Sequence, residues 1–225
     1  MNLFFFAFVF YAVLFIIDRL YVLPYRRRVA RREGGQHVPG VYSFAIAVGF
    51  PLFAVLVGLR TFVLDTYHVP TPSMVPAIDT GEHIWVNRLA YGLRWPWDGR
   101  VLLAGAEPER GEVLAFRYPR EPRNVYVKRL IGRPGDRIEL NGALLLNGER
   151  LVPAAGSPRR ESVELGGASF VLVVDERSLS GPVLDVVVPA GHYFVLGDNL
   201  PESEDSRHWG FVSDRHLLGR VVGVR

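Results

Sequence analysis

Three short stretches concentrate the side chains able to do chemistry. The first is HVPTPSMVPAI, residues 68–78, where Pro70, Pro72 and Pro76 stiffen the backbone and remove amide donors around Ser73. A serine held in such an extended segment is suited to act as a nucleophile, and the same pattern also describes an ordinary loop serine. The second is NVYVKRLIGRPGD, residues 124–136, which holds Lys128, the one lysine among 26 basic residues. Strand alternation puts Tyr126, Lys128 and Leu130 on one face, so the amine shares an apolar surface with an aromatic ring. Burial there disfavours the ammonium and leaves a neutral amine available as a general base, a task closed to arginine, whose guanidinium keeps its proton. The alternative is a lysine stem lying along a strand edge with its head in water. The third is GDNLPESEDSRHWGFV, residues 197–212, in which Asp198, Asn199, Ser203, Asp205, Ser206 and Arg207 are close enough to bond one another or to orient a neighbouring base.

Competing chemistries fit less well. The absence of cysteine excludes disulfide frameworks, thiol nucleophiles, zinc ribbons and iron–sulfur clusters. A calcium loop would need a regular Asp-x-Asp-x-Asp pattern with a closing Glu, which residues 197–212 lack, so the expectation is no metal and no cofactor. A Ser-His-Asp triad would draw on His68, His83, His192, His208 or His216, with His37 on the far side of the second apolar segment, and none of them stands in a nucleophile-elbow context.

The elements that must position these residues fall into two apolar segments and a body. Asn2–Ile17 carries no charge and, with the LYVL that follows Asp18 and Arg19, is long enough to cross a bilayer about 30 Å thick. It starts neutral and ends in PYRRRVARR, which reads as a retained anchor over residues 1–23 rather than a cleaved signal. A second span is expected over 40–60, kinked at Pro51, and the loop between them, 24–39, holds Arg26, Arg27, Arg28, Arg31 and Arg32. The positive-inside rule puts that loop in the cytoplasm and residues 61–225 outside it. Residues 1–65 carry a net +4 and the rest −1, so the basic pI of 9.4 reflects membrane topology and no nucleic-acid partner is expected.

The body reads as a mainly β, antiparallel domain. HIWV, EVLAFRY, NVYVKRLI, RIELNG, ALLLNG, SFVLVV, LDVVVP, HYFVLGD and GRVVGV are short β-branched or aromatic runs between Gly, Pro, Asn and Asp punctuation. Asn141–Gly142 and Asn147–Gly148 predict tight hairpin turns, and 152–162 predicts an irregular loop.

Taken in order, PTPSMVPAI with GEHIWVNRLAYGLR, GEVLAFRYP, VYVKRLIGRPGD, GHYFVLGDN, SEDSRHWGFV and LLGRVVG, downstream of two spans with a basic loop, resemble bacterial type I signal peptidases over nearly the whole chain. These are membrane-bound Ser-Lys endopeptidases that remove signal peptides. The resemblance implies Ser73 as nucleophile and Lys128 as the amine that takes its proton. It implies Ser203 as the group that orients the lysine, an Asp205–Arg207 ion pair holding the loop, and the Ser73 amide and Thr71 hydroxyl as oxyanion donors. Val69, Met74, Ile78, Tyr126 and Val127 would line apolar pockets for small residues, usually Ala, one and three positions before the cut, with the peptide added as a strand. Many members have Ser where Thr71 stands, Gly where Pro72 stands and GDNR where this chain has GDNL, which leaves Leu200 without a reading.

The implied partners are signal peptides of exported preproteins, membrane lipid and a nearby secretion translocon, at a bacterial inner membrane with the catalytic domain outside. Tyr91, Trp95 and Trp97 are candidates for the lipid interface or for core packing. Other readings are a specialised Ser-Lys processing protease or a silent membrane-tethered β-module that binds exported peptides. A self-cleaving repressor would need a DNA-binding module where this chain has two spans.

Overall fold

The computed structural model of the chain describes residues 2–32, 41–95, 98–152, 159–179 and 183–225. It divides into two compact units, 1–61 and 62–225.

In the first unit, α1 (Asn2–Ile17) runs through one π-helical turn, Asp18–Val22, into α2 (Leu23–Arg32). The wide turn has a local cause: the Leu23 N–H reaches back to Asp18 O, and Pro24 has no N–H to give to the ladder. The basic segment expected as loop from residue 24 is therefore helical to Arg32, as arginine's good helix propensity allows. α3 (Val41–Phe62) contains Pro51. Residues 7–32 and 41–60 form helices long and apolar enough to cross a membrane. Phe15 stacks on Phe50 at 4.7 Å, and the Ser43 hydroxyl donates to Asp18 Oδ1 at 2.8 Å.

The second unit is built almost wholly of strands. Its large sheet takes β1 (Leu64–His68), β2 (His83–Asn87), β5 (Val113–Arg117), β6 (Val125–Gly132), β13 (His192–Leu196), β14 (Val212–Ser213) and β15 (Leu217–Val224) in the order β1-β2-β15-β5-β6-β13-β14. Every pairing in it is antiparallel. A four-stranded sheet orders β12 (Leu184–Val187), β7 (Arg137–Leu140), β8 (Leu144–Leu146) and β9 (Glu149–Val152), while β3 (Gly92–Arg94) pairs with β4 (Val101–Ala104) and β10 (Arg159–Leu165) with β11 (Ala168–Val174). Two short helices, α4 (Glu176–Leu179) and α5 (Ser206–Trp209), complete the unit.

Asn147 and Gly148 both have positive φ, 54° and 82°, and form the two-residue turn between β8 and β9. The loop expected over 152–162 is shorter than that: residues 153–158 lie outside the described set, and from Arg159 the chain is already strand. β10, RRESVEL, escapes a pattern search because polar and charged residues fill most of it and Val163 is its one buried position.

β1 and β6 are separated by three strands in the sheet order, yet Val69, just after β1, and Val127 on β6 belong to one buried apolar cluster with Met74, Ile78, Ile84 and Val86. The sheet is thus curled into a half-barrel, which brings the segment after β1 over β6. A second cluster, with Leu114, Phe116, Leu130 and Val195, lies on the other side of β6, so that strand is buried on both faces.

Candidate active site

Ser73 stands in a 3-10 turn, Pro72–Met74, entered through Thr71 in extended conformation. Met74 is fully buried and pins the turn to the apolar cluster. From the turn's other side, Asn199 donates its backbone N–H to Ser73 O at 3.0 Å and its side-chain Nδ2 to Pro72 O at 3.1 Å. Gly197 packs against the same carbonyl, and any Cβ there would strike Ser73 O and Ser203 Oγ.

Lys128, on β6, meets this turn. Its Nζ lies 2.6 Å from Ser73 Oγ, and the two residues are 4% and 5% exposed. As an ammonium the lysine donates to the hydroxyl; as a neutral amine it accepts the hydroxyl proton. Burial is the main cause that lowers its pKa to about 8, with the Arg207 guanidinium adding to the effect and Asp205, Asp198 and Glu204 opposing it. Among the described residues, Ser73 is the hydrogen-bond partner of this amine. The Thr71 hydroxyl is 3.2 Å from Ser73 Oγ.

The 197–212 loop supports the lysine from behind. Arg207 holds Asp205 through Nε to Oδ1 at 2.8 Å and Nη2 to Oδ2 at 2.9 Å, and it ties in Ser178 O and Leu200 O. Asp205 is fully buried, caps α5 and accepts from Gly197 N–H at 3.1 Å. The Ser203 hydroxyl donates to Asp205 Oδ2 at 2.7 Å, the carboxylate whose charge acts on the Lys128 amine.

Of the expected pocket residues, Val69, Met74, Ile78 and Val127 lie together in one cluster. Tyr126 does not join them. Alternation along β6 turns it to the opposite face, stacked on Tyr118 at 4.4 Å with its ring centre 5.8 Å from Nζ. Tyr91 is core, its hydroxyl donating to Glu112 at 2.7 Å; Trp95 is partly exposed, and Trp97 lies outside the described residues. Leu200 fills the core beside Phe194 and Ile131.

The partners of Asn199, and the part played by Arg129, went unread in the sequence. Asn199 acts on the backbone carbonyl of Pro72, 127 positions away, and on that of Ser73 beside it, which no local pattern announces. Arg129, next to the lysine, makes a buried two-pronged pair with Asp198, with Nε to Oδ1 at 2.7 Å, and donates to Gly111 O, fixing the base of the loop to β6. The GDN run was the available signal.

Residues 43–224 match the family model described as "Signal peptidase, peptidase S26". A signal peptidase I of Pseudomonas aeruginosa is 36% identical over 199 residues, covering 78% of this chain and 69% of the relative, and that of Pseudomonas fluorescens is 33% identical at the same coverage. A crystal structure of a signal peptidase I from Enterococcus faecalis aligns at 32% identity over 52% of this chain and 98% of its own, with a TM-score of 0.36. A serine and an amine in contact in a desolvated site, inside a match this long, decide the matter: the chain belongs to the signal peptidase family, peptidase S26, serine endopeptidases that remove signal peptides from preproteins.

Proposed function

We propose that cleavage runs through a Ser73–Lys128 dyad and is selective for Ala-x-Ala sites. The observation that carries this reading is the 2.6 Å contact between Ser73 Oγ and a lysine that burial has made neutral near pH 8. Lys128 takes the hydroxyl proton as Oγ attacks the scissile carbonyl. The oxyanion accepts hydrogen bonds from the Ser73 N–H and the Thr71 hydroxyl. Collapse breaks the C–N bond, Lys128 hands its proton to the leaving amine, and a water deprotonated by the same lysine then hydrolyses the acyl-enzyme.

The peptide docks as an added strand on the free edge of β1, which ends the large sheet. Its small side chains pack over the turn and strand that the buried cluster of Val69, Met74, Ile78 and Val127 holds in place, with Tyr126 beside the amine on the same face of β6. The two helical spans anchor the chain in a bacterial inner membrane, the arginines of α2 facing the cytoplasm and residues 61–225 the outside, beside lipid and the translocon from which signal peptides emerge.

The test is a purified preprotein bearing one Ala-x-Ala site, incubated with the intact chain and with Ser73→Ala, the cut located by mass spectrometry. Cleavage after the second Ala by the intact chain alone is expected; equal cleavage by both would overturn the dyad, and a cut elsewhere would overturn the specificity.

A further inference from the structure

Away from the dyad, one pair of metal-ligating side chains meets across a strand ladder. β1 and β2 pair with His68 opposite His83, and both rings are exposed. His83 exchanges its backbone hydrogen bonds with Arg225, 2.8 Å each way, whereas on the β1 side it is Val69 that bonds Glu82 O and Gly81 N–H, at 2.9 and 2.8 Å. His68 and His83 are therefore a non-hydrogen-bonded pair, the class whose Cα atoms approach to about 4.5 Å and whose side chains stand closest. Their ring centres are 5.2 Å apart and their planes inclined by 57°.

That spacing suits a shared metal. An imidazole nitrogen about 2.1 Å from a divalent transition ion puts the ion about 3.2 Å from the ring centre, so two rings at a tetrahedral angle have centres about 5 Å apart. We propose that His68 and His83 form a two-histidine site for a borderline divalent ion of the Ni2+, Cu2+ or Zn2+ class. Imidazole selects these over magnesium or calcium. Among the described residues no group of three or more His, Asp and Glu side chains converges, so the remaining coordination positions are filled by water.

The site's place gives it a consequence. Alternation directs the backbone N–H and C=O of His68 away from β2, toward the free edge of β1, and the next residue is Val69 of the apolar cluster beneath Ser73. A metal here ties the end of the edge strand to its neighbour. Its effect on peptide docking rests on the strand-addition reading above; the binding itself does not.

The experiment titrates Ni2+ into the full chain in detergent, carrying no polyhistidine tag and stripped of metal by a chelator, by isothermal calorimetry. The same is done for His68→Gln, His83→Gln and, as a control, His192→Gln, whose ring bonds Ala190 O elsewhere in the sheet. Melting curves without metal verify that all four fold alike. One Ni2+ per chain, weakened at least tenfold by either of the first two substitutions and unchanged by the third, is expected. No binding by the intact chain, or unchanged affinity in either His68→Gln or His83→Gln, overturns the proposal.

Discussion

Lys128 Nζ sits 2.6 Å from Ser73 Oγ although the residues are 55 positions apart, one in a proline-braced turn after an edge strand and the other in the middle of a strand buried on both faces. The curl of the sheet makes the contact, and the burial it imposes sets the amine's proton affinity. Structure and reactivity are here the same fact.

Replacing Lys128 separates the amine's cost from its use. Lys128→Met fills similar space and is expected to lower kcat by about 10³-fold or more, since the nucleophile then has no base. The same substitution stabilises the fold at neutral pH. The lysine's pKa falls from 10.5 to about 8 on folding, so the unfolded chain binds more protons across that window and stability rises with pH there. Below about pH 8 the full penalty applies, on the order of 3 kcal/mol. Denaturant unfolding of Lys128→Met against the intact chain at pH 7 checks this: a variant no more stable than the intact chain contradicts it.

The charges around the lysine tune it in opposite directions. The proposed dyad needs the neutral amine, so kcat/KM is expected to rise with pH and level off above about 8. Asp205 favours the ammonium and Arg207 opposes it. Asp205→Asn therefore moves the midpoint of the pH–rate curve down, and Arg207→Met moves it up. Each also removes one partner of a buried ion pair, costing about 3–5 kcal/mol of stability, so rates are compared below the variants' unfolding temperatures.

Asn199 positions the nucleophile by holding both Pro72 O and Ser73 O. Asn199→Ala keeps the backbone bond and loses the side-chain one. A fall in kcat of about ten- to a hundredfold with KM little changed is expected, since the turn drifts without unfolding. Steady-state kinetics on a signal-peptide substrate measures it; a change confined to KM would place Asn199 in peptide binding instead.

In the proposed mechanism the Thr71 hydroxyl, 3.2 Å from Ser73 Oγ, is the second oxyanion donor. Thr71→Val keeps the shape and is expected to cost about 10²–10³ in kcat, while Thr71→Ser restores most of the rate. Equal rates in Thr71→Val and the intact chain would remove it from the oxyanion site.

The sequence announces what is local. Prolines around Ser73, a solitary lysine on an alternating strand and the Asn147–Gly148 turn are each readable from a few neighbouring residues. What went unread depends on distance or on a misleading composition. The Arg26–Arg32 run looks like a charged loop and is helix, because arginines extend a helix readily once a preceding apolar segment has nucleated it. Ser203 lies within five positions of Asp198, Asp205 and Arg207, and only the fold decides that its hydroxyl goes to Asp205. Tyr126 and Val127 are adjacent, yet strand alternation sends one toward the amine and the other into the apolar cluster.

Because Lys128 is the one lysine in 225 residues, its amine can be watched without assignment. The chain is grown with lysine labelled at Cε and Nζ, purified in detergent, and its single side-chain resonance followed from pH 6 to 11. A midpoint near 8 is the result expected of a buried amine poised to take the Ser73 proton. A midpoint near 10.5, that of a solvated lysine, would contradict the account.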